Sequence, residues 1–218
     1  LLSDAIQRSG HIRIGASPTA AASRVATAVE TLERRHPGIT VTITSGLQTE
    51  LLAALIDNAL DVAVYIRTHP NADDTSSIIR ETLGHESYRI IAGRRHPLCA
   101  ATKEITPDDL TIYPWIRGSN SGDDEAAWRE PFESAGLAPP HFSIETSSIE
   151  FCRTLLEYGR HLTVLPTALL GPDLASGNLV ALPSNQFEWQ RPLMLAYRDG
   201  PPSEALLPLI QAFHDTAR

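Results

Sequence analysis

Ile12-Arg13-Ile14-Gly15-Ala16-Ser17-Pro18-Thr19 decides how this chain folds. Apolar and polar residues alternate up to Gly15, as in a strand. Ser17 and Pro18 then stand where a helix prefers its N-cap and first residue. Val25, Val29 and Leu32 follow at helical spacing, so one helix is expected to about Arg35, with these three on one face. His36-Pro37-Gly38 stops it. Val41-Thr42-Ile43-Thr44-Ser45-Gly46 repeats the pattern, leading into a helix from about Thr49 to Ala59 that buries Leu52, Leu55 and Ile56. Asp61-Val62-Ala63-Val64-Tyr65-Ile66 is a third strand. Strands joined through helices run parallel with right-handed crossovers, so a first lobe begins as βαβαβ.

The same order recurs downstream. Trp115-Ile116-Arg117-Gly118 is followed by a polar turn and a helix, Phe142 to Ser148 by another, and His161 to Pro166 closes the second copy. Residues 68–77 read as a polar loop, and Glu86 to Gly93 as a strand leaving the first lobe. Gln190 to Arg198 is a further strand. Ser203 caps a last helix carrying Leu206, Leu207, Ile210 and Phe213, which needs the first lobe as its surface. The first domain is then discontinuous, and its two crossings form a hinge.

The 218 residues suffice for two small α/β lobes, and 42% hydrophobic with 20% charged residues is an ordinary soluble globular balance. A net charge of −8 advertises no basic nucleic-acid face. No apolar run approaches the roughly 20 residues of a membrane span. The opening Leu1-Leu2-Ser3-Asp4-Ala5-Ile6 lacks the basic flank and apolar length of a signal peptide. Without an initiator Met, the chain reads as an excised piece of something longer. Cys99 and Cys152 form no CxxC and read as two buried thiols of a cytoplasmic protein.

Chemical motifs are absent. The sequence has no phosphate-binding GxxxxGK[ST], no GxGxxG, no HExxH and no GxSxG. Asp73-Asp74, Asp108-Asp109 and Asp123-Asp124 read as favourable charges at helix starts and loops rather than an acid/base pair. No catalytic residue, metal ligand or cofactor is therefore expected. The polar turns carry the functional signal together. Each hydroxyl alone is explained as a cap, stabilising by about 1 kcal/mol. Together Ser17, Pro18 and Thr19, Ser45 and Gly46, Ser119, Asn120 and Ser121, and Thr146 to Ser148 with Ser147 at its centre lie at the carboxyl ends of strands. There, helix N–H groups and spare hydroxyl valences suit a small carboxylate-bearing molecule in a cleft between the lobes. Arg67, just past Ile66, supplies one full positive charge or is a loop arginine. Arg117 sits within a strand, and Arg160 and His161 lie at the opposite strand edge, so they are left out of the site.

The order Gly10-x-Ile12-Arg13-Ile14-Gly15-Ala16-Ser17, Arg35-His36-Pro37-Gly38-Ile39-x-Val41, Gly46 with Glu50-Leu51-Leu52, and Leu60-Asp61-Val62-Ala63-Val64 resembles the effector-binding domain of LysR-type transcriptional regulators. His96-Pro97-Leu98, Cys152-x-x-Leu155, Leu165-Pro166, Gly177-x-Leu179-Val180-x-Leu182-Pro183 and Pro192-Leu193-x-Leu195-x-Tyr197-Arg198 continue the likeness over essentially the whole chain.

The resemblance implies two Rossmann-like lobes joined by two crossover strands, a type 2 periplasmic-binding-protein-like α/β fold. It places the end of a linker at 1–10, lobe I at 11–86 and 192–218, and lobe II at 87–191. It also implies an upstream winged helix-turn-helix domain, absent from this chain, through which alone DNA is bound. The partners implied are a small-molecule effector and a second copy, joined through the helices at 18–35 and about 149–158, with no membrane. The family's ligand contacts fall on Ser17, Pro18, Thr19, Ser45, Gly46, Ile66 or Arg67, and Ser119, Asn120 and Ser121. Departures are Tyr158-Gly159-Arg160-His161, bulkier and more basic than the Gly-x-Gly of some relatives, and cysteines that do not sit like the peroxide-sensing pair. Two alternatives stand: a free-standing solute receptor feeding a transporter, and an enzyme of the prephenate dehydratase type on the same scaffold.

Overall fold

The structure is a computed structural model and describes residues 10–68, 77–101, 103–118 and 124–215. The chain divides into two compact units, one of residues 1–85 and 192–218, the other of residues 86–191. It passes between them within two long strands, β4 (Ile78–Gly93) and β9 (Trp189–Arg198).

In unit 1, β1 (Gly10–Ala16) lies between β2 (Ile39–Ser45) and β3 (Val62–Ile66), parallel to both. Ala16 pairs with Ser45 on one side and Val64 on the other, so all three strands end at one edge. β9 runs antiparallel beside β3, with Val64 opposite Leu195. Helix α3 (Gln48–Ile56) covers one face, burying Leu51, Leu52 and Leu55 with Leu60, Tyr65 and Met194. On the other, α2 (Ala26–Arg35) packs against α8 (Leu206–Asp215), with Leu32, Leu209 and Phe213 buried.

An ionic knot fastens the start of β3. Asp61 accepts from the Arg13 backbone at 2.8 Å and from its guanidinium at 2.8 Å, with Arg198 at 3.6 Å. Burial alone would raise the Asp61 carboxyl, but the Arg13 hydrogen bonds and both arginine charges outweigh it and hold it below the usual range. Arg198 also caps the end of α3 through Leu55 O at 3.0 Å. Glu81 of β4 similarly accepts from the Tyr197 hydroxyl and lies 2.6 Å from His214 Nε2 of α8.

The expected helix at 18–35 is helical throughout but not uniform. It comprises α1 (Pro18–Ala20), a π turn (Ala21–Val25) and α2. Ser23 and Thr27 hydroxyls donate to carbonyls four residues back, Thr19 O at 2.8 Å and Ser23 O at 3.2 Å, bonds that compete with regular helix geometry. The wider turn moves the buried face toward Ala28 and Thr31, and Val29 is only half-buried. Ile56, expected in the core, is 48% exposed because the stripe Gln48, Leu51, Leu52, Leu55 already faces the sheet. The strand expected at 86–93 begins at Ile78.

In unit 2 the strand order is β4, β7 (Leu162–Pro166), β5 (Trp115–Gly118), β6 (Phe142–Thr146), with β8 (Leu179–Ala181) also on β4. β5 is parallel to both β6 and β7. A mainly aromatic layer, with Trp115, Trp128, Phe132 and Phe187, fills the face under α5 (Asp124–Ser134); Trp115 meets Trp128 edge-on at 5.4 Å. The opposite face buries Ile91, Ile116, Cys152, Leu156 and Leu170 beneath α6 (Ile149–Glu157) and α7 (Gly171–Ser176). A short helix, α4 (Pro107–Leu110), opens with Thr106 and Asp109 bonded as a capping box. Among the described residues no helix is long and apolar enough to cross a membrane, and no cluster of His, Cys, Asp or Glu could hold a metal ion.

Candidate functional site

Parallel strands bring the sequence-expected residues of unit 1 to one rim. Ser17 N donates to Val64 O at 2.9 Å, and Gly46 N donates to Ala16 O at 3.2 Å, stitching the exits of β1, β2 and β3 together. Arg67 N, at the end of β3, donates to Pro192 O at 2.9 Å. Ser17 and Thr19 are buried, as is Ile66; Arg67 and Gly46 are half-buried, and Pro18 and Ser45 exposed.

The hydrogen bonds show what this rim has left to offer. Ser17 Oγ accepts from Ala20 N at a long 3.4 Å, a weak cap. Pro18 has no N–H. Among the described residues neither Thr19 N–H nor its hydroxyl takes a hydrogen-bond partner. The first turn after β1 therefore presents one backbone donor and two hydroxyls at the positive end of a helical run that reaches Arg35.

The turn after β2 is different. Glu50 Oε2 accepts from Leu47 N at 2.9 Å, so α3 already holds a carboxylate at its own start. A Cβ placed on Gly46 would lie 3.3 Å from that oxygen. An anion is disfavoured there, and Ser45 and Gly46 suit an uncharged part of a ligand.

Sequence reasoning missed Gln48. It is buried, and its Oε1 accepts from both Thr68 N at 2.8 Å and Thr68 Oγ1 at 3.2 Å. It ties the exit of β3 to the start of α3. No local signature marks a bond between residues 20 apart; the only sequence hint is an amide directly after a strand-end turn.

In unit 2, Ser148 rather than Ser147 caps α6, accepting from Phe151 N at 3.2 Å. Thr146 Oγ1 in turn accepts from Ser148 N at 3.1 Å. Ser147 sits exposed between them at the end of β6. Ser119, Asn120 and Ser121 lie outside the described residues. Arg117 is committed elsewhere: it pairs with Glu125 at 2.9 Å and stacks over Phe142 at 5.6 Å, on the α5 side of the sheet. The cysteines are free thiols; Cys152 is buried, but Cys99 is only half-buried, unlike the expectation for both. Burial pushes the Cys152 thiol up to about 11 and raises Cys99 as well, so neither is poised as a thiolate.

This rim architecture is that of a binding domain, and the comparisons say which. The family model described as LysR substrate binding domain matches residues 5–218, and the chain belongs to that family, with its type 2 periplasmic-binding-protein-like fold. It is similar to the HTH-type transcriptional regulator CbbR of Xanthobacter flavus, 25% identical over 155 residues, which cover 71% of this chain and 45% of CbbR. The chain spans about half the length of the curated relatives it matches. Two solved structures share its fold. The regulatory domain of Synechocystis PCC6803 CcmR in complex with 2-PG has a TM-score of 0.78 at 20% identity, over 96% of this chain and 98% of that one. The effector-binding domain of QuiR in complex with shikimate has a TM-score of 0.76 at 18% identity, over 96% and 98%.

Proposed function

We propose that this chain is the ligand-sensing part of a LysR-type transcription factor of the cytoplasm. Its effector is small and bears a carboxylate, received by the turn Ser17-Pro18-Thr19. The Thr19 N–H and hydroxyl carry this reading: they are donors at a helix start that take no hydrogen-bond partner among the described residues. Ser45, Gly46, Ile66 and Arg67 complete the unit 1 contacts. Ser119, Asn120, Ser121 and Ser147 remain in the proposal as the second rim of the cleft expected from the sequence. Binding favours one arrangement of the regulator over another, by the ligand's difference in affinity for the two, and so alters DNA engagement by an N-terminal domain. The helical run at 18–35 and α6 are the proposed surfaces for pairing with a second copy. The chain performs no turnover: the rim offers hydroxyls and amides, and its carboxylate, Glu50, is engaged as a cap.

Shikimate, found with the QuiR domain, is itself a carboxylic acid and a suitable first probe. Calorimetric titration with shikimate and a panel of small mono- and dicarboxylates should yield at least one binder. Thr19→Ala should weaken it about tenfold, the loss of one hydrogen bond to a charged group. Unchanged affinity in both Ser17→Ala and Thr19→Ala refutes the site.

A further inference from the structure

Asp199-Gly200 is the only Asp-Gly or Asn-Gly pair in the chain. It follows β9 directly and opens the connection to α8, and both residues are exposed. Gly200 has φ +121°, a conformation that a side chain would strain, and a Cβ built on it would meet no atom within 4 Å. Its backbone N–H donates to Oδ1 of the preceding Asp199 at 2.9 Å. That carboxylate has no other partner among the described residues. Other aspartates are committed: Asp61 to Arg13 at 2.8 Å, Asp109 to Thr106 at 2.8 Å and Asp215 to Arg35 at 2.9 Å. Asp199 N donates to Ser77 O at 2.8 Å, which holds the bend from behind. A carboxyl group and the nitrogen that follows it are thus held side by side, and nothing packs on Gly200 to hinder their joining.

We infer that Asp199-Gly200 is a site of spontaneous isoaspartate formation, a backbone modification that loosens the start of α8. The Gly200 nitrogen attacks Cγ of the Asp199 carboxylic acid. An N–C bond forms and a C–O bond breaks. The oxygen leaves as water, taking the carboxyl proton and the amide proton, and a cyclic succinimide remains. Water then adds to one of the two ring carbonyls. Addition at Cγ restores aspartate. Addition at the former backbone carbonyl breaks its bond to nitrogen, and the chain then runs through Cβ and Cγ. Composition and redox state are unchanged, but the backbone gains one atom.

The fold gives that atom a consequence. Glu81 accepts from the Tyr197 hydroxyl, just before the site, and lies 2.6 Å from His214 Nε2, near the end of α8. Asp215 is pinned to Arg35 of α2. The segment between is therefore anchored at both ends, and Pro201 and Pro202 stiffen its middle. The added length falls on the first turn of α8, where Leu206 N donates to Ser203 Oγ at 3.2 Å and Leu206 is buried.

Ageing the folded chain for several weeks in heavy-oxygen water at neutral pH and body temperature, with digestion in ordinary water and mass spectrometry, tests this. The peptide holding Asp199 should take up heavy oxygen and accept methyl groups from S-adenosylmethionine through protein isoaspartate methyltransferase. The peptide holding Asp61 should do neither. The rate should lie within about threefold of that of a free peptide of residues 197–204, because the fold keeps the reacting groups together. Asp199→Glu should lose both signals, since its longer side chain closes a larger ring far more slowly. In the isomerised chain, separated by ion exchange, amide hydrogen exchange at Leu206 and Leu209 should quicken, whereas aged Asp199→Glu should show no change. A folded chain that isomerises more than about tenfold more slowly than the peptide overturns the site. Isomerisation that leaves exchange in α8 unaltered overturns the loosening of the helix.

Discussion

His96 holds the clearest protonation consequence in the molecule. Its ring is 2% exposed, lies 4.4 Å from Tyr113 and accepts from Leu98 N through Nδ1 at 3.2 Å. Burial, with the nearby His161 adding to it, brings it down to about 4. The unfolded chain protonates this ring near its ordinary 6.5, the folded chain only near 4. Between these values the unfolded state binds more protons, so His96 costs stability as pH falls from 6.5 toward 4. Urea unfolding at pH 7 and pH 5 should show a smaller acid-side loss in His96→Asn, which keeps a capping group but cannot titrate. An unchanged loss assigns it to other groups. Gln48 carries the second consequence at this scale. Gln48→Leu leaves Thr68 N–H without its acceptor, which should cost about 1–3 kcal/mol by thermal or urea unfolding. It should also weaken effector binding by loosening the end of β3. Ser17 was legible in the sequence as an N-cap because a cap is a local pattern. Gln48 with Thr68 was not, because the pair exists only after β3 and α3 have met.

Among the elements, the strand–turn–helix order and nearly every strand could be read directly, since parallel strands write themselves as short apolar runs between turn signals. The misreadings share one cause: they depend on neighbours. The π turn at Ala21–Val25 displaced the buried face of the first helix by inserting a wider turn that apolar spacing does not announce. Ile43 fits strand alternation yet is 47% exposed, because β2 lies at the end of the strand order. The corner joining α6 to β4 gives a prediction of its own. A Cβ on Gly93 would lie 1.9 Å from Leu156 O, backbone that cannot swing aside. Gly93→Ala should therefore destabilise unit 2 by about 1–3 kcal/mol or more, read as a lower urea midpoint. A variant as stable as the parent would mean that α6 is not held against β4 here.

For the molecule as a whole, the final strand and helix had to pack on something already built, and β9 does pair with β3 while α8 packs on α2. All three tryptophans, Trp115, Trp128 and Trp189, fall in unit 2. Tryptophan fluorescence therefore reports unit 2, whereas far-ultraviolet circular dichroism reports both units. Because β4 and β9 each belong to both, the two probes should give coincident urea transitions. Clearly separated midpoints would show units that fold independently. The sensing role depends on a narrower point, the donors left open at Ser17-Pro18-Thr19. The most direct measurement is a crystal structure with a carboxylate that calorimetry shows to bind. A carboxylate oxygen is expected within about 2.7–3.2 Å of Thr19 N. A ligand seated elsewhere, with Thr19 N–H still unbonded, would contradict the account.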